Sequence, residues 1–219
     1  MNTLTTPHVA ALVNRLFAES VASNAKLKEV FGALTPEERR ARMSDPSSDY
    51  RQLFHRARYL YMAVSPETAR LLYLLARTTR AQAIVEFGTS FGVSTIHLAA
   101  ALRDNGGGLL IGSELEPTKA DQARTNLAEA GLSDLVDIRD GDALDTLSRD
   151  LPPSIDLVLL DGHKPLYPRI LDLVAPRLRT GACLVADNAD ASPDYIKRVR
   201  GAGYASLPWS DDVELSVKL

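Results

Sequence analysis

The 219-residue chain has a single cysteine, Cys183, so it can form neither an internal disulfide nor a cluster of thiolate metal ligands. It also has no excess of positive charge, because 25 lysines and arginines face 28 aspartates and glutamates, a net charge of −3. That balance argues against nucleic acid as a partner. No apolar run approaches the roughly 20 residues that cross a bilayer, and the N-terminus lacks a signal-peptide pattern. We therefore expect a cytoplasmic protein with no membrane partner.

Composition allows a complete hydrophobic core. Hydrophobic residues make up 45% of the chain and charged residues 24%, which excludes a disordered or fibrous protein. The length fits one domain with additional helices better than two domains. We expect a single domain over residues 1–219, in which residues 1–62 form a helical cap and residues 63–219 an α/β core.

The first third of the chain carries helix signals. Thr6 is followed by proline and by apolar residues at helical spacing, which predicts a first helix. Thr35 repeats the Thr-Pro start with a glutamate three residues after it, and predicts a second. In residues 43–62 we expect helix only in the second half. Ser65, again followed by proline, opens another helix.

After Arg80, short β-branched apolar runs alternate with helical segments of about a dozen residues, which predicts a parallel sheet built from βαβ units. The last two runs are too close for a helical crossover and predict a hairpin. The predicted strands cover residues 83–87, 109–114, 135–139, 156–161, 183–188, 204–207 and 213–219. The expected α/β fold is a Rossmann-like, seven-stranded, mostly parallel sheet with a C-terminal antiparallel hairpin strand and N-terminal cap helices.

Gly88 and Gly92 lie between the first strand and the next helix, where an open parallel sheet forms its ligand crevice. Their Gly-x-x-x-Gly spacing differs from the Gly-x-Gly-x-x-Gly that seats a pyrophosphate, and Glu86 adds a negative charge. A cationic ligand, or one with an ammonium group, suits this loop better than a phosphate. The strand-to-helix turn of any doubly wound fold is the alternative explanation.

Acidic residues follow the next two strands. Glu114 ends the second strand, where such folds offer a carboxylate to the hydroxyls of a ribose. Glu116 competes with it, and both glutamates also fit the first turn of the following helix. Asp142 and Ala143 follow the third strand at the same edge of the sheet, a position suited to an adenine ring.

Oxygen ligands follow the fourth and fifth strands. Asp161 ends one apolar strand and is followed by Lys164, while Asp187 and Asn188 end the neighbouring strand. Two carboxylates and an amide suit a hard divalent ion such as Mg²⁺, with positions left for water or substrate oxygens. Ordinary turn residues and a solvated lysine are the alternative explanation.

These motifs resemble the class I S-adenosylmethionine-dependent methyltransferases, specifically the small cation-dependent O-methyltransferases typified by catechol and caffeoyl-CoA O-methyltransferases. The similarity covers about residues 62–219 and is anchored by MAVSPE, VEFGTSFGVST, SELEP, LLDGHK and VADN. Many bacterial members read Asp-Ala-Asp-Lys where this chain has Asp161-Gly162-His163-Lys164, so the role of the second acid is not carried over to His163.

The resemblance implies residue roles. The cofactor S-adenosylmethionine would be bound by Val64, Glu86, Gly88, Thr89, Ser90, Ser94, Glu114, Asp142, Ala143 and Asp161. Asp161, Asp187 and Asn188 would hold Mg²⁺ or another hard cation such as Mn²⁺ or Ca²⁺. Lys164 would be the catalytic base, and Met62, Lys164 and Asn188 would contact a small phenolic acceptor. Pairing of two copies through the N-terminal helices, as a homodimer, is also implied.

Three other functions stay open at the level of sequence. An NAD-dependent oxidoreductase shares the fold class and the carboxylate after the second strand, but the glycine spacing and Glu86 count against it. A metal-independent methyltransferase would dispense with the oxygen ligands. A scaffold without turnover would have no need of Asp161, Lys164, Asp187 and Asn188 together.

Overall fold

The computed structural model describes residues 2–30, 35 and 50–219. The predicted helix after Thr35 lies outside these residues. The α-helices are α1 (Pro7–Val30), α2 (Tyr50–Arg56), α3 (Pro66–Thr78), α4 (Val93–Asp104), α5 (Pro117–Ala130), α6 (Ala143–Thr146), α7 (Tyr167–Val174) and α8 (Pro193–Val199). The strands are β1 (Ala83–Phe87), β2 (Leu109–Glu114), β3 (Val136–Asp140), β4 (Ile155–Leu160), β5 (Leu178–Ala186), β6 (Tyr204–Pro208) and β7 (Glu214–Lys218).

The strands form one seven-stranded sheet in the order β3-β2-β1-β4-β5-β7-β6. Strands β1 to β5 pair in parallel, whereas β7 is antiparallel to both β5 and β6. The predicted mostly parallel sheet with a C-terminal hairpin is therefore confirmed. The strand order changes direction at β1, between β2 and β4, and this switch point opens a crevice at the carboxyl ends of the strands.

The predicted helix starts at Thr6 and Ser65 are confirmed. Ser65 Oγ accepts a hydrogen bond from the backbone N–H of Thr68 at 3.0 Å, the capping contact that begins α3. The helix expected in the second half of residues 43–62 is misplaced, because α2 ends at Arg56. The chain then leaves helical geometry and reaches α1, where the backbone N–H of Tyr61 donates to Ser23 Oγ at 3.0 Å.

Strand bounds shift slightly from those predicted. Strands β3 and β4 are offset by one residue, and β5 begins at Leu178 rather than 183. Strand β5 also ends at Ala186, the last residue that pairs with β4 and β7. The next two residues therefore lie beyond the sheet, and Asn188 adopts a left-handed conformation with φ 47°. Asp187 and Asn188 therefore lie in a turn at the edge of the sheet, where their side chains do not take part in the strand.

Helices cover both faces of the sheet, because strand side chains alternate. In β1, Ile84 packs with α1, α3 and α4, whereas Val85 packs with α7 and α8 on the other face. Cys183 is buried in this core, as predicted. Among the described helices, none is both long enough and apolar enough to cross a membrane.

Candidate active site

A cavity opens at the carboxyl ends of β1 to β4, the place where an open parallel sheet binds its ligands. The predicted site residues that line it are Met62, Gly88, Ser90, Glu114, Asp142, Ala143 and Asp161. Residues outside the predicted set also line it, among them Tyr50, Phe54, Lys119 and His163. Most of the expected cofactor residues thus meet in one crevice.

A smaller cavity adjoins the first. The two share the lining residues Met62, Gly88, Ser90 and Asp161, so they lie side by side. The predicted residues Thr89 and Ser94 line this second cavity. Val64 and Glu86 line neither cavity, and both residues are buried.

Gly88 permits two strand ends to approach closely. It has φ +97°, and a Cβ built there would lie 2.7 Å from both the backbone C and the backbone O of Asp161. The Asp161 N–H donates to the Phe87 carbonyl at 2.8 Å, which fastens the end of β4 to the end of β1. Glycine is required at position 88 for this backbone contact.

Glu86 is fully buried behind the glycine loop. Its carboxyl accepts hydrogen bonds from the hydroxyls of Thr89 at 3.0 Å, Ser94 at 2.6 Å and Thr95 at 2.6 Å. Burial raises the pKa of Glu86 to about 7, against the lowering effect of the three hydroxyls. The carboxyl thus holds the loop together, and Thr89 and Ser94 stand between it and the cavity. Thr95 was missed, although its hydroxyl lies next to Ser94 in the sequence.

The structure separates the two competing glutamates. Glu114 lines the cavity and accepts the backbone N–H groups of Ser90 at 2.6 Å and Glu116 at 2.9 Å. Glu116 precedes α5 and lies 3.2 Å from His55 Nδ1. Burial raises the pKa of Glu114, opposed by the charge of Lys119. Glu114 is therefore the carboxylate placed for a ligand in the cavity.

Lys119 is a buried cation in the cavity wall that sequence reasoning missed. Its side chain is 2% exposed, and Nζ lies 3.4 Å from Ser90 Oγ and 5.4 Å from the centre of the Phe91 ring. Burial lowers its pKa, whereas the charges of Glu114, Glu116 and Asp161 raise it. Lys119 thus partly balances the negative charge of this wall.

Helix α2 lies across the Asp142 side of the cavity. The Tyr50 hydroxyl and Arg51 Nη2 each donate to Asp142 Oδ2 at 2.6 Å, while Asp142 Oδ1 accepts the Leu144 N–H at 3.0 Å. The Tyr50 ring stacks on His163 at 4.7 Å. Burial and the charge of Lys164 lower the pKa of His163 to about 4, so its imidazole is neutral near pH 7. Residues that are far apart in the sequence thus meet at this side of the cavity and cover it.

The predicted oxygen ligands come together at the ends of β4 and β5. The carboxyls of Asp161 and Asp187 lie close enough to influence each other's ionisation, and Lys164 Nζ donates to Asp161 Oδ1 at 3.0 Å. Burial raises the pKa of both carboxyls, and the Asp161 charge raises that of Asp187 further. Asn188 follows directly and donates from Nδ2 to Asp212 Oδ2 at 3.2 Å.

This donor set fits a hard divalent cation. Two largely buried carboxyls held close together repel one another when ionised, and a dication held by Asp161, Asp187 and Asn188 would offset that repulsion. Lys164 is 2% exposed and lies against Asp161, so the site also contains a positioned amine.

The seven-stranded sheet with its antiparallel C-terminal strands defines a Rossmann-like fold of the methyltransferase type. The carboxylates lie at the edge of this sheet. A family model described as a methyltransferase domain matches residues 85–189. Two of the solved structures that share the fold are also similar in sequence. The O-methyltransferase TomG from Streptomyces achromogenes, in complex with S-adenosylmethionine, is 29% identical, with a TM-score of 0.64 over 80% of this chain and 90% of that one. Cofactor-bound Rv0187 is 26% identical, with a TM-score of 0.67 over 85% and 99%.

Relatives by sequence are named as methyltransferases. Catechol O-methyltransferase of Niastella koreensis is 38% identical over 130 residues, 58% of each chain. Catechol O-methyltransferase of Mycobacterium tuberculosis is 35% identical over 153 residues, 70% of this chain and 64% of that one. A Mycolicibacterium smegmatis protein named as an O-methyltransferase is 33% identical over 150 residues, 64% and 70%. The chain spans less than two thirds of both catechol O-methyltransferases. It belongs to the S-adenosylmethionine-dependent O-methyltransferase family, as the resemblance predicted.

Proposed function

We propose that the protein transfers the methyl group of S-adenosylmethionine to a hydroxyl of a catechol-like or other small phenolic acceptor, and that it requires a divalent cation. The observation that carries this proposal is the pair of largely buried carboxyls, Asp161 and Asp187, that follow two adjoining strands, with Lys164 Nζ 3.0 Å from Asp161 Oδ1. Asp161 also lines both cavities, so the pair lies beside the space for ligands. Family membership favours methyl transfer over the NAD-dependent alternative.

The cavity residues suggest how the cofactor would lie. Glu114 would accept the ribose hydroxyls, because its carboxylate faces the main cavity. Asp142 and Ala143 line the same cavity beside His163, in a position for the adenine. The amino-acid end would enter the smaller cavity, which Ser90 and other residues of the glycine loop line.

Val64 and Glu86 would contribute to the cofactor site from outside the cavity. The Glu86 carboxyl fixes the Thr89 and Ser94 hydroxyls, which line the smaller cavity. Val64 is 3% exposed and lies two residues after Met62, which lines both cavities. We therefore propose supporting roles for these two residues rather than direct polar contact through their side chains.

The acceptor would be activated at the carboxylate pair. Asp161, Asp187 and Asn188 would hold Mg²⁺, Mn²⁺ or Ca²⁺, and the bound cation supplies Lewis acidity that favours the ionised acceptor. A phenol with a pKa of about 10 needs about 4 kcal/mol to ionise at pH 7. Lys164 Nζ, held 3.0 Å from Asp161 Oδ1, would receive the hydroxyl proton of the acceptor.

Methyl transfer further requires that donor and acceptor be aligned. Met62 lines both cavities and would confine the acceptor where they lie side by side. Such alignment accounts for about 7–11 kcal/mol of a reaction barrier in favourable cases. The residues around Asp161 would therefore act mainly by holding the two reactants in line.

Radiolabelled S-adenosylmethionine and a panel of vicinal diphenols test the proposal directly. We expect EDTA to abolish methyl transfer, Mg²⁺ to restore it, and matched monophenols to react poorly because they cannot chelate. Full activity in EDTA would favour the metal-independent alternative. Tighter binding of NAD⁺ than of S-adenosylmethionine in a calorimetric titration would overturn the proposed reaction class.

Three broader expectations stay predictions: the boundary near residue 62 between cap and core, the cytoplasmic location, and the homodimer. Packing of α1 with strand residues of the sheet supports one continuous domain. Light scattering on the purified protein tests the homodimer.

A further inference from the structure

The turn between β6 and β7 reaches the proposed cation site. Asp212 in this turn accepts a hydrogen bond at its backbone oxygen from the Ala189 N–H at 2.7 Å. Its side-chain Oδ2 accepts from Asn188 Nδ2 at 3.2 Å. Asp212 thus holds the segment after β5 through both its backbone and its side chain, although it lies 24 positions away in sequence.

The Asp212 carboxylate is itself held in place. Ser210 Oγ donates to Asp212 Oδ1 at 3.0 Å, and the Val213 N–H donates to Ser210 Oγ at 3.2 Å. One carboxylate oxygen is therefore bound within the turn, and the other faces Asn188.

The chemistry of the contact fixes which way the Asn188 amide points. An ionised carboxylate only accepts hydrogen bonds, so the NH₂ group of Asn188 must face Asp212. The amide carbonyl oxygen then points away from Asp212, and it accepts no hydrogen bond from the described residues. This is the atom of asparagine that binds a hard cation.

We propose that Asp212 is a positioning residue of the cation site: it holds the Asn188 amide with the carbonyl oxygen available to the metal. The inference rests on the proposed function, because it presumes that Asn188 is a ligand. Partners that orient metal ligands in this way typically change metal affinity 10- to 100-fold when they are removed. Asp212 does not bind the cation itself in this proposal.

Manganese binding tests the inference without any turnover. Protein freed of metal with EDTA is titrated with Mn²⁺ and followed by electron paramagnetic resonance, in the absence of methyl donor and acceptor. We expect D212A to weaken Mn²⁺ binding about 10-fold or more. We expect D212N to stay within about threefold of wild type, because its side-chain carbonyl still accepts from Asn188.

The neighbouring Asp211 supplies a matched control, since D211A removes the same charge from the same exposed turn. We expect D211A to bind Mn²⁺ like wild type, and equal weakening in D211A and D212A would overturn the inference in favour of a charge effect. Unchanged binding in D212A would also overturn it. Loss of more than 100-fold in both D212A and D212N would make Asp212 a direct ligand instead. A wild-type protein that binds no Mn²⁺ would refute the proposed cation requirement, and this inference with it.

Discussion

Replacing Gly88 with alanine tests whether the site depends on the contact between the ends of β1 and β4. The left-handed backbone at φ +97° costs a residue with a Cβ about 1–2 kcal/mol. The added Cβ would lie 2.7 Å from backbone atoms of Asp161, which cannot swing aside as a side chain can. Such overpacking adds about 1–3 kcal/mol. We expect G88A to lose about 2–5 kcal/mol of unfolding free energy.

Gly106 is the matched control. It has the same φ of +97°, but a Cβ built there meets nothing within 4 Å. We therefore expect G106A to lose only the conformational part, about 1–2 kcal/mol. Urea unfolding followed by circular dichroism measures both losses, and their difference isolates the clash with Asp161.

Ligand binding gives a second readout of the same pair of variants. Displacement of Asp161 by the new methyl group should weaken S-adenosylmethionine binding at least about 10-fold in G88A, or about 1.4 kcal/mol. G106A should bind like wild type in the same calorimetric titration. Equal losses of stability together with equal affinities in the two variants would refute the close-approach argument.

Three further predictions concern charged residues of the site. E114Q should weaken S-adenosylmethionine binding about 10-fold or more, because a carboxylate in the cavity is lost, whereas E116Q should not; equal affinities in calorimetry would contradict this. K164M should lower kcat for a diphenol at least about 100-fold with little change in cofactor affinity, and an unchanged kcat would exclude Lys164 as the base. Burial raises the pKa of folded Glu86 to about 7 from 4.5, so the folded state binds the extra proton between these values. The free energy of unfolding should therefore fall by about 3 kcal/mol as pH rises through that window. In E86Q the difference in unfolding free energy between urea titrations at pH 5 and pH 8 should be smaller than in wild type. An equal difference in the two proteins would contradict the burial effect.

The sequence predicted the sheet well because its signals are local. Each parallel strand is a short apolar run, and each crossover helix shows its own periodicity, so strand number, direction and the C-terminal hairpin followed. The least accurate local prediction was α2, which ends at Arg56 because the chain turns toward α1, where Tyr61 meets Ser23. That docking is a tertiary contact with no periodic signal.

Part of the candidate site followed from the same topology. Parallel strands bring their carboxyl ends to one edge, so Glu114, Asp161 and Asp187 were expected there before any coordinates. Strand alternation did not separate Glu114 from Glu116, because both point to the same side, and the resemblance selected Glu114. In the structure Glu114 lines the cavity, whereas Glu116 contacts His55 of α2.

The amino-acid sequence by itself determined the α/β sheet, the glycine turn after β1 and the oxygen-bearing residues at the ends of β4 and β5, since these depend on short-range patterning. The tertiary structure alone decided that Tyr50 closes the Asp142 side, that Lys119 is buried in the cavity wall, and that Asp212 holds Asn188. These contacts join residues distant in the chain, and they form because packing of separate elements, rather than spacing along the chain, fixes which polar groups meet.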